Sequence, residues 1–165
     1  MHSNRIVPLA AGVLIALSGA AQAGTTGTTF GVSATVAANC IVTVPDIAFG
    51  NYDGTGPVDV SQNLSIRCTR NLPYTIRLNG GAAASFPRKL SDGTNTLEYD
   101  LFSNGGRTTV WGNGTNGSPE TGTGAGMGVP NARTHTIYAR LFNNTANLLA
   151  PVGVYNDTIT VEVTY

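Results

Sequence analysis

The chain has 165 residues with nine basic and nine acidic side chains, a formal net charge of zero, and only 11% charged residues against 41% hydrophobic ones. Such a balance excludes the basic face that nucleic-acid binding needs, and the length suits one domain with a real core. Two cysteines and two histidines are too few ligands for a metal or redox centre.

In chain order, Met1–Ala23 has the form of a secretory signal: Arg5 in a positive n-region, a short apolar run from Ile6 to Leu17, and Ala21-Gln22-Ala23 as an A-x-A cleavage site. The apolar run is too short to span a bilayer, and no later segment is long and apolar enough to anchor the chain. Export makes Cys40 and Cys68 a structural disulfide, worth about 3–4 kcal/mol in the chain-entropy model.

From Thr28 to Val44 every even position from Phe30 onward is apolar or small, namely Phe30, Val32, Ala34, Val36, Ala38, Cys40, Val42 and Val44. Period two predicts one strand with one buried face. At ~3.3 Å per residue it would run about 56 Å, whereas strands of a small sandwich span ~17–20 Å. With Cys40 tied to the body, the part around Phe30–Val36 is left as an apolar-faced strand in need of another sheet.

A short extended piece, Ile47 to Tyr52, is closed by the turn residues Asp53-Gly54. Val58, Val60, Leu64, Ile66 and Cys68 then share one parity of a strand, and Tyr74, Ile76 and Leu78 share one in the next, after the break at Asn71-Leu72-Pro73. A hairpin is predicted from Thr96–Ser103 and Arg107–Trp111 around Asn104-Gly105-Gly106. Gly112–Pro130 reads as a flexible polar loop. Strands resume at Thr134–Phe142 and at Val154–Tyr165, where Ile159, Val161, Val163 and Tyr165 share a face; the nearest thing to a helix is one turn at Ala146–Ala150. Many short alternating strands with Gly, Pro and Asn punctuation predict an all-β antiparallel sandwich.

The last strand has nothing after it to cover its edge, and the N-terminal strand is one its own body cannot use. A sandwich with an unfilled edge is an aggregation hazard. If Phe30, Val32, Ala34 and Val36 of one molecule fill the groove of the next, the contact is head-to-tail and generates a fibre.

Here the chain resembles a known family. The alternating segment followed by Ala38-Asn39-Cys40-Ile41-Val42, then Phe49-Gly50-Asn51-Tyr52, Ser65-Ile66-Arg67-Cys68, Gly153-Val154-Tyr155-Asn156-Asp157-Thr158 and Val161-Glu162-Val163-Thr164-Tyr165, is similar to the spore coat protein U domain and to subunits of archaic, Csu-type chaperone-usher pili. The resemblance covers essentially the whole chain after the signal. It implies an incomplete immunoglobulin-like sandwich, held by a periplasmic chaperone, delivered to an outer-membrane usher and completed by a strand from a neighbouring subunit of the same or another kind. It implies a donor segment within residues 24–38, centred on Phe30, Val32, Ala34 and Val36, and a body over 39–165. The chaperone-facing edge would be Ile159, Val161, Val163 and Tyr165, and a single domain points to a shaft or adaptor subunit on the cell surface, active in adhesion and biofilm formation.

Other classes have less support. A Ser-His-Asp arrangement would need His135, and no G-x-S-x-G elbow accompanies it. Glu98 and Asp100 share a strand parity opposite Leu97, Tyr99 and Leu101 and read as a solvated pair rather than an acid/base couple. The glycines from Gly122 to Gly128 lack the following helix that a phosphate site requires. No catalytic residue, cofactor, metal or nucleic acid is expected. The remaining alternatives are a coat or matrix domain that folds its N-terminal strand back on itself, disfavoured because no turn separates Val36 from Cys40, and a carbohydrate-binding module using Trp111 and Tyr99.

Overall fold

The inward parity of the sequence becomes the seam between two antiparallel sheets in the computed structural model, which describes residues 22–165. The signal segment assigned to Met1–Ala23 falls almost wholly outside them. The described residues divide into an N-terminal stretch, 22–35, and a body, 36–165.

The body carries β1 (Cys40–Thr43), β2 (Val58–Cys68), β3 (Pro73–Leu78), β4 (Arg88–Ser91), β5 (Thr96–Phe102), β6 (Glu120–Thr123), a 3-10 turn (Val129–Asn131), β7 (Arg133–Leu141), the one-turn helix α1 (Thr145–Leu148) and β8 (Val161–Thr164). One sheet has the order β1-β2-β7-β5-β4 and the other β6-β3-β8. Leu64 and Ile66 of β2, Ile76 and Leu78 of β3, Leu97 and Leu101 of β5 and Ile137 and Leu141 of β7 meet between them. These are the positions the alternation marked, each contributing about 1.5–3 kcal/mol by burial. Cys40 and Cys68 are register partners across β1 and β2 and form a disulfide.

Several elements differ from expectation. The long strand over Thr28–Val44 is present only as Cys40–Thr43; residues 22–39 adopt no strand, because a strand exists only where its N–H and C=O groups find partners. The stretch 22–35 is exposed throughout, with Phe30 at 86% and Val32 at 85%. Arg107–Trp111 contributes an isolated bridge, Phe102 to Val110, rather than a full strand, although Trp111 N–H still donates to Leu101 C=O at 2.8 Å. The supposed loop Gly112–Pro130 contains β6. Its glycines make room: a Cβ at Gly122 would strike the Tyr74 phenol, and one at Gly124 the Thr69 carbonyl and Cys68.

β4 was invisible because its inward residue is a charge. Arg88 is fully buried; it pairs with Asp100 and donates to the carbonyls of Asn79 and Trp111, each at 2.8 Å. Asp100 is therefore not the solvated partner of Glu98 but a buried counter-ion. Burial nonetheless raises the Asp100 carboxyl and lowers the Arg88 guanidinium from their ordinary values, so desolvation outweighs the attraction between them. The last strand is short because its chain changes sheets. Asn156 exchanges backbone hydrogen bonds with Ser91 at the end of β4, and only from Thr160 does the chain follow β3.

α1 is too short to hold itself. Asn147 secures it: its N–H donates to the Asn144 side chain at 2.9 Å, its Oδ1 accepts from Glu98 N–H at 2.7 Å, and its Nδ2 donates to the Glu98 and Phe142 carbonyls. Among the described residues no buried side-chain nitrogen or oxygen lacks a partner, and no helix is long and apolar enough to cross a membrane.

Two outcomes follow. Arg88→Met should lower stability in urea unfolding by about 3–5 kcal/mol by leaving Asp100 buried and unpaired, whereas adding Asp100→Leu should recover much of that loss. On the outer face of the sheet, Arg140 donates twice to Asp59, both at 2.7 Å, and with Arg107 nearby it holds the carboxyl below its ordinary value. A depressed carboxylate stabilises above its unfolded value and loses that contribution as pH falls through the folded one. The gap in melting temperature between wild type and Asp59→Asn should therefore narrow from about pH 6 to about pH 3.

Candidate assembly groove

Between the two sheets one flank is open. Its first lip is the extended segment 44–52, whose Val44, Ile47, Phe49 and Tyr52 pack partly against the core. Its second lip is the segment 150–161 leading into β8, where Ala150, Tyr155, Ile159 and Val161 do the same. Among the described residues these lips share no backbone hydrogen bond, and β8 pairs only with β3. The space between them comprises two stretches of about 710 and 570 Å³ that share Ile47, Phe49, Leu90, Asn156 and Asp157 as walls. The floor of the larger stretch includes Leu97 and Leu141; Leu78, Tyr99, Leu101 and Ile137 line the smaller.

The groove thus combines apolar walls with a first lip, 44–52, that makes no backbone–backbone hydrogen bond among the described residues, which suits an incoming strand. Its main polar wall, Asp157, is already engaged. Oδ2 accepts from the Tyr99 hydroxyl at 2.7 Å, and Oδ1 from the N–H groups of Ala82 at 2.7 Å and Thr158 at 2.8 Å. Burial, and then this hydrogen bond, raise the Tyr99 phenol far above its ordinary value, so it stays protonated.

Of the residues expected at the edge, Ile159 and Val161 line the groove, and Val163 packs on the core. Tyr165 is 53% exposed and borders a shallow recess with Pro73, Tyr74 and Thr123 instead. Phe30, Val32, Ala34 and Val36 are all exposed. The lip 44–52 and the floor residue Leu90 were not read from the sequence as site residues. Irregular spacing hid the lip, although its Phe49-Gly50-Asn51-Tyr52 is distinctive and Gly50 has φ of 74°.

The residues weighed for chemistry have other duties. His135 Nε2 lies 3.0 Å from the Tyr74 hydroxyl and its Nδ1 lies 3.6 Å from Glu120. Glu98 accepts from the Asn144 amide at 2.8 Å. Trp111 is fully buried, its Nε1 donating to the Ile76 carbonyl at 3.1 Å, so it offers no stacking platform to a sugar. Among the described residues no cluster of His, Cys, Asp and Glu could hold a metal ion.

A solved structure similar to this chain is the CsuC–CsuE chaperone–tip adhesion subunit pre-assembly complex from archaic chaperone-usher Csu pili of Acinetobacter baumannii, with a TM-score of 0.57 and 28% identity. The match covers 79% of this chain and 40% of that one, so this chain spans less than half the length of its relative. No curated protein matches the sequence. The model of the Spore Coat Protein U domain matches residues 26–162. The chain belongs to the Spore Coat Protein U domain family.

Proposed function

We propose that this protein is a structural subunit of a surface pilus, exported to the periplasm, held there by a chaperone, passed to an outer-membrane usher and polymerised by donor-strand exchange. On this reading residues 1–23 are the signal, 24–38 carry the donor and 39–165 form the body. The observation that carries it is an apolar groove whose two lips do not pair with each other, in a chain whose Phe30, Val32, Ala34 and Val36 present an exposed alternating face. Filling one with the other satisfies the backbone groups of the 44–52 lip that lack partners in the body. It also removes apolar side chains from water on both partners, at up to about 1.5–3 kcal/mol for each large one. The likeness to a chaperone-bound subunit supports a chaperone partner before assembly; on this reading it would cover the edge from Ile159 to Val163. Adhesion and biofilm formation would be properties of the fibre rather than of a ligand pocket. The family is one of structural subunits, and His135, Glu98 and Asp100 are each engaged with neighbouring side chains.

The test is an unheated SDS gel of the protein released from its chaperone, beside a form lacking residues 24–37. A ladder of multimers that collapses on boiling and is absent from the truncated form is the expected result. A single monomer band from the intact protein overturns the proposal in favour of a self-completed domain. Val32→Asp should abolish the ladder while leaving the monomer oxidised and folded, because it forces a charge into an apolar groove; wild-type polymerisation of that variant would remove Val32 from the donor.

A further inference from the structure

We infer that Asn116 is a site of spontaneous covalent modification, its side-chain amide being displaced by the backbone nitrogen of Gly117 and the residue converted to aspartate or isoaspartate. The chain contains four Asn-Gly pairs, beginning at Asn79, Asn104, Asn113 and Asn116. In each, the glycine has no Cβ to shield its own nitrogen from the side chain before it. The four dipeptides are chemically alike, and the fold separates them.

Three of them are held. Asn79 Oδ1 accepts from the N–H groups of Gly81 at 3.2 Å and Thr160 at 2.9 Å, and Gly80 beside it is buried. Asn104 Oδ1 accepts from the N–H groups of Thr108 at 3.1 Å and Thr109 at 3.0 Å, while its Nδ2 donates to the Thr108 hydroxyl at 2.7 Å. Asn113 Oδ1 accepts from the N–H groups of Thr115 at 3.0 Å and Asn116 at 2.9 Å, and the N–H of Gly114 donates to the Gly117 carbonyl at 3.1 Å. Attack at any of these requires the side chain to turn away from its partners, and at Asn113 the attacking nitrogen must give up a bond as well.

Asn116 joins its turn through the backbone alone, its carbonyl accepting from Asn113 N–H at 3.2 Å. Among the described residues neither its side-chain amide nor the Gly117 N–H has a hydrogen-bond partner, and both residues are exposed. The turn itself puts this pair together. Gly117 has φ of 75°, and a Cβ on it would strike the Val110 carbonyl, so the position calls for glycine. Asn113 caps the turn by accepting two N–H groups, which leaves Asn116 with no such duty.

The step needs only water and hydroxide. The Gly117 nitrogen gives its proton to hydroxide and attacks Asn116 Cγ; the new C–N bond forms as the Cγ–Nδ2 bond breaks, releasing ammonia and leaving a cyclic imide. Water then opens the ring. Cleavage at Cγ gives aspartate, and cleavage at the main-chain carbonyl gives isoaspartate, with the backbone routed through the side chain. Each conversion adds a negative charge to a chain whose formal net charge is zero. Isoaspartate also lengthens the backbone where the Asn116 carbonyl rests against Gly112, a position without room for even a Cβ.

The test incubates the oxidised, folded chain and a reduced, guanidinium-unfolded sample at mildly alkaline pH. Peptide mapping by mass spectrometry follows the amide-to-acid mass gain at each of the four asparagines, and isoaspartyl methyltransferase labelling marks isoaspartate. In the folded chain Asn116 should convert at least ~tenfold faster than Asn79, Asn104 and Asn113, the factor expected when two or three hydrogen bonds must be released. In the unfolded chain the four should convert at similar rates. Asn116→Ser, a change at an exposed side chain without partners, should remove the first acidic band to appear on isoelectric focusing. A folded chain in which Asn116 converts no faster than the other three, or an acidic band that survives Asn116→Ser, overturns the inference. A lead for Asn116 of the same size in guanidinium assigns the preference to local sequence and overturns the part given to the fold.

Discussion

The structure depends on a core whose two faces are joined on one side and open on the other. Sheets β1-β2-β7-β5-β4 and β6-β3-β8 enclose Leu64, Ile76, Ile137 and Leu141, yet along the lips 44–52 and 150–161 the same core reaches solvent between edges that do not pair with each other. Two costs coincide there, wetted apolar surface and backbone groups without protein partners. One extended segment with apolar residues on one face removes both. A ligand of any other shape would remove at most one of them, and the geometry therefore favours a strand as occupant.

The buried pair Arg88 and Asp100 explains how the body tolerates such an opening. Arg88 reaches the carbonyls of Asn79, Leu78 and Trp111 and so ties β4 and the β3 terminus to the segment before β6. Leu90 of β4 and Leu78 of the β3 terminus line the groove. Directional hydrogen bonds fix positions that dispersion alone would leave soft. The Asp157 carboxylate does similar work on the second lip, holding Ala82, Thr158 and Tyr99 in one cluster.

Legibility in the sequence followed the chemistry of each segment. β2, β3 and β7 were plain because one face of each is wet and the other dry, which writes the period of two directly into residue choice. β4 was not, since its buried side chain is an arginine whose partner is remote in sequence. β6 was not, because Gly122 within it and Gly124 just after it leave the space that Tyr74 and Cys68 occupy, and an absent side chain carries no parity. The stretch from Thr28 shows the opposite case. Its alternation is clear, but alternation records a face that can be buried, and strand geometry appears only with a partner for the backbone. Ile159 and Val161, expected at an edge, line the opening; the other lip, with Ile47 and Phe49, forms no strand and so leaves no regular pattern.

The disulfide acquires a further meaning in a fibre of the proposed kind. Tension along such a fibre enters each body at Val36 and must leave through the groove that holds the next donor. The path begins in β1, only four residues long, whose hydrogen bonds to β2 lie directly in the line of load. Cys40 is its first residue, and the bond to Cys68 transfers force straight to the end of β2, the longest strand, whose ladder with β7 runs from Val58 to Ile66. Shear on β1 is bypassed by a covalent link at the point where the donor begins. The position of the cysteines, one at the donor root and one at the end of the longest strand, is thus explained by load as well as by the entropy of the unfolded chain.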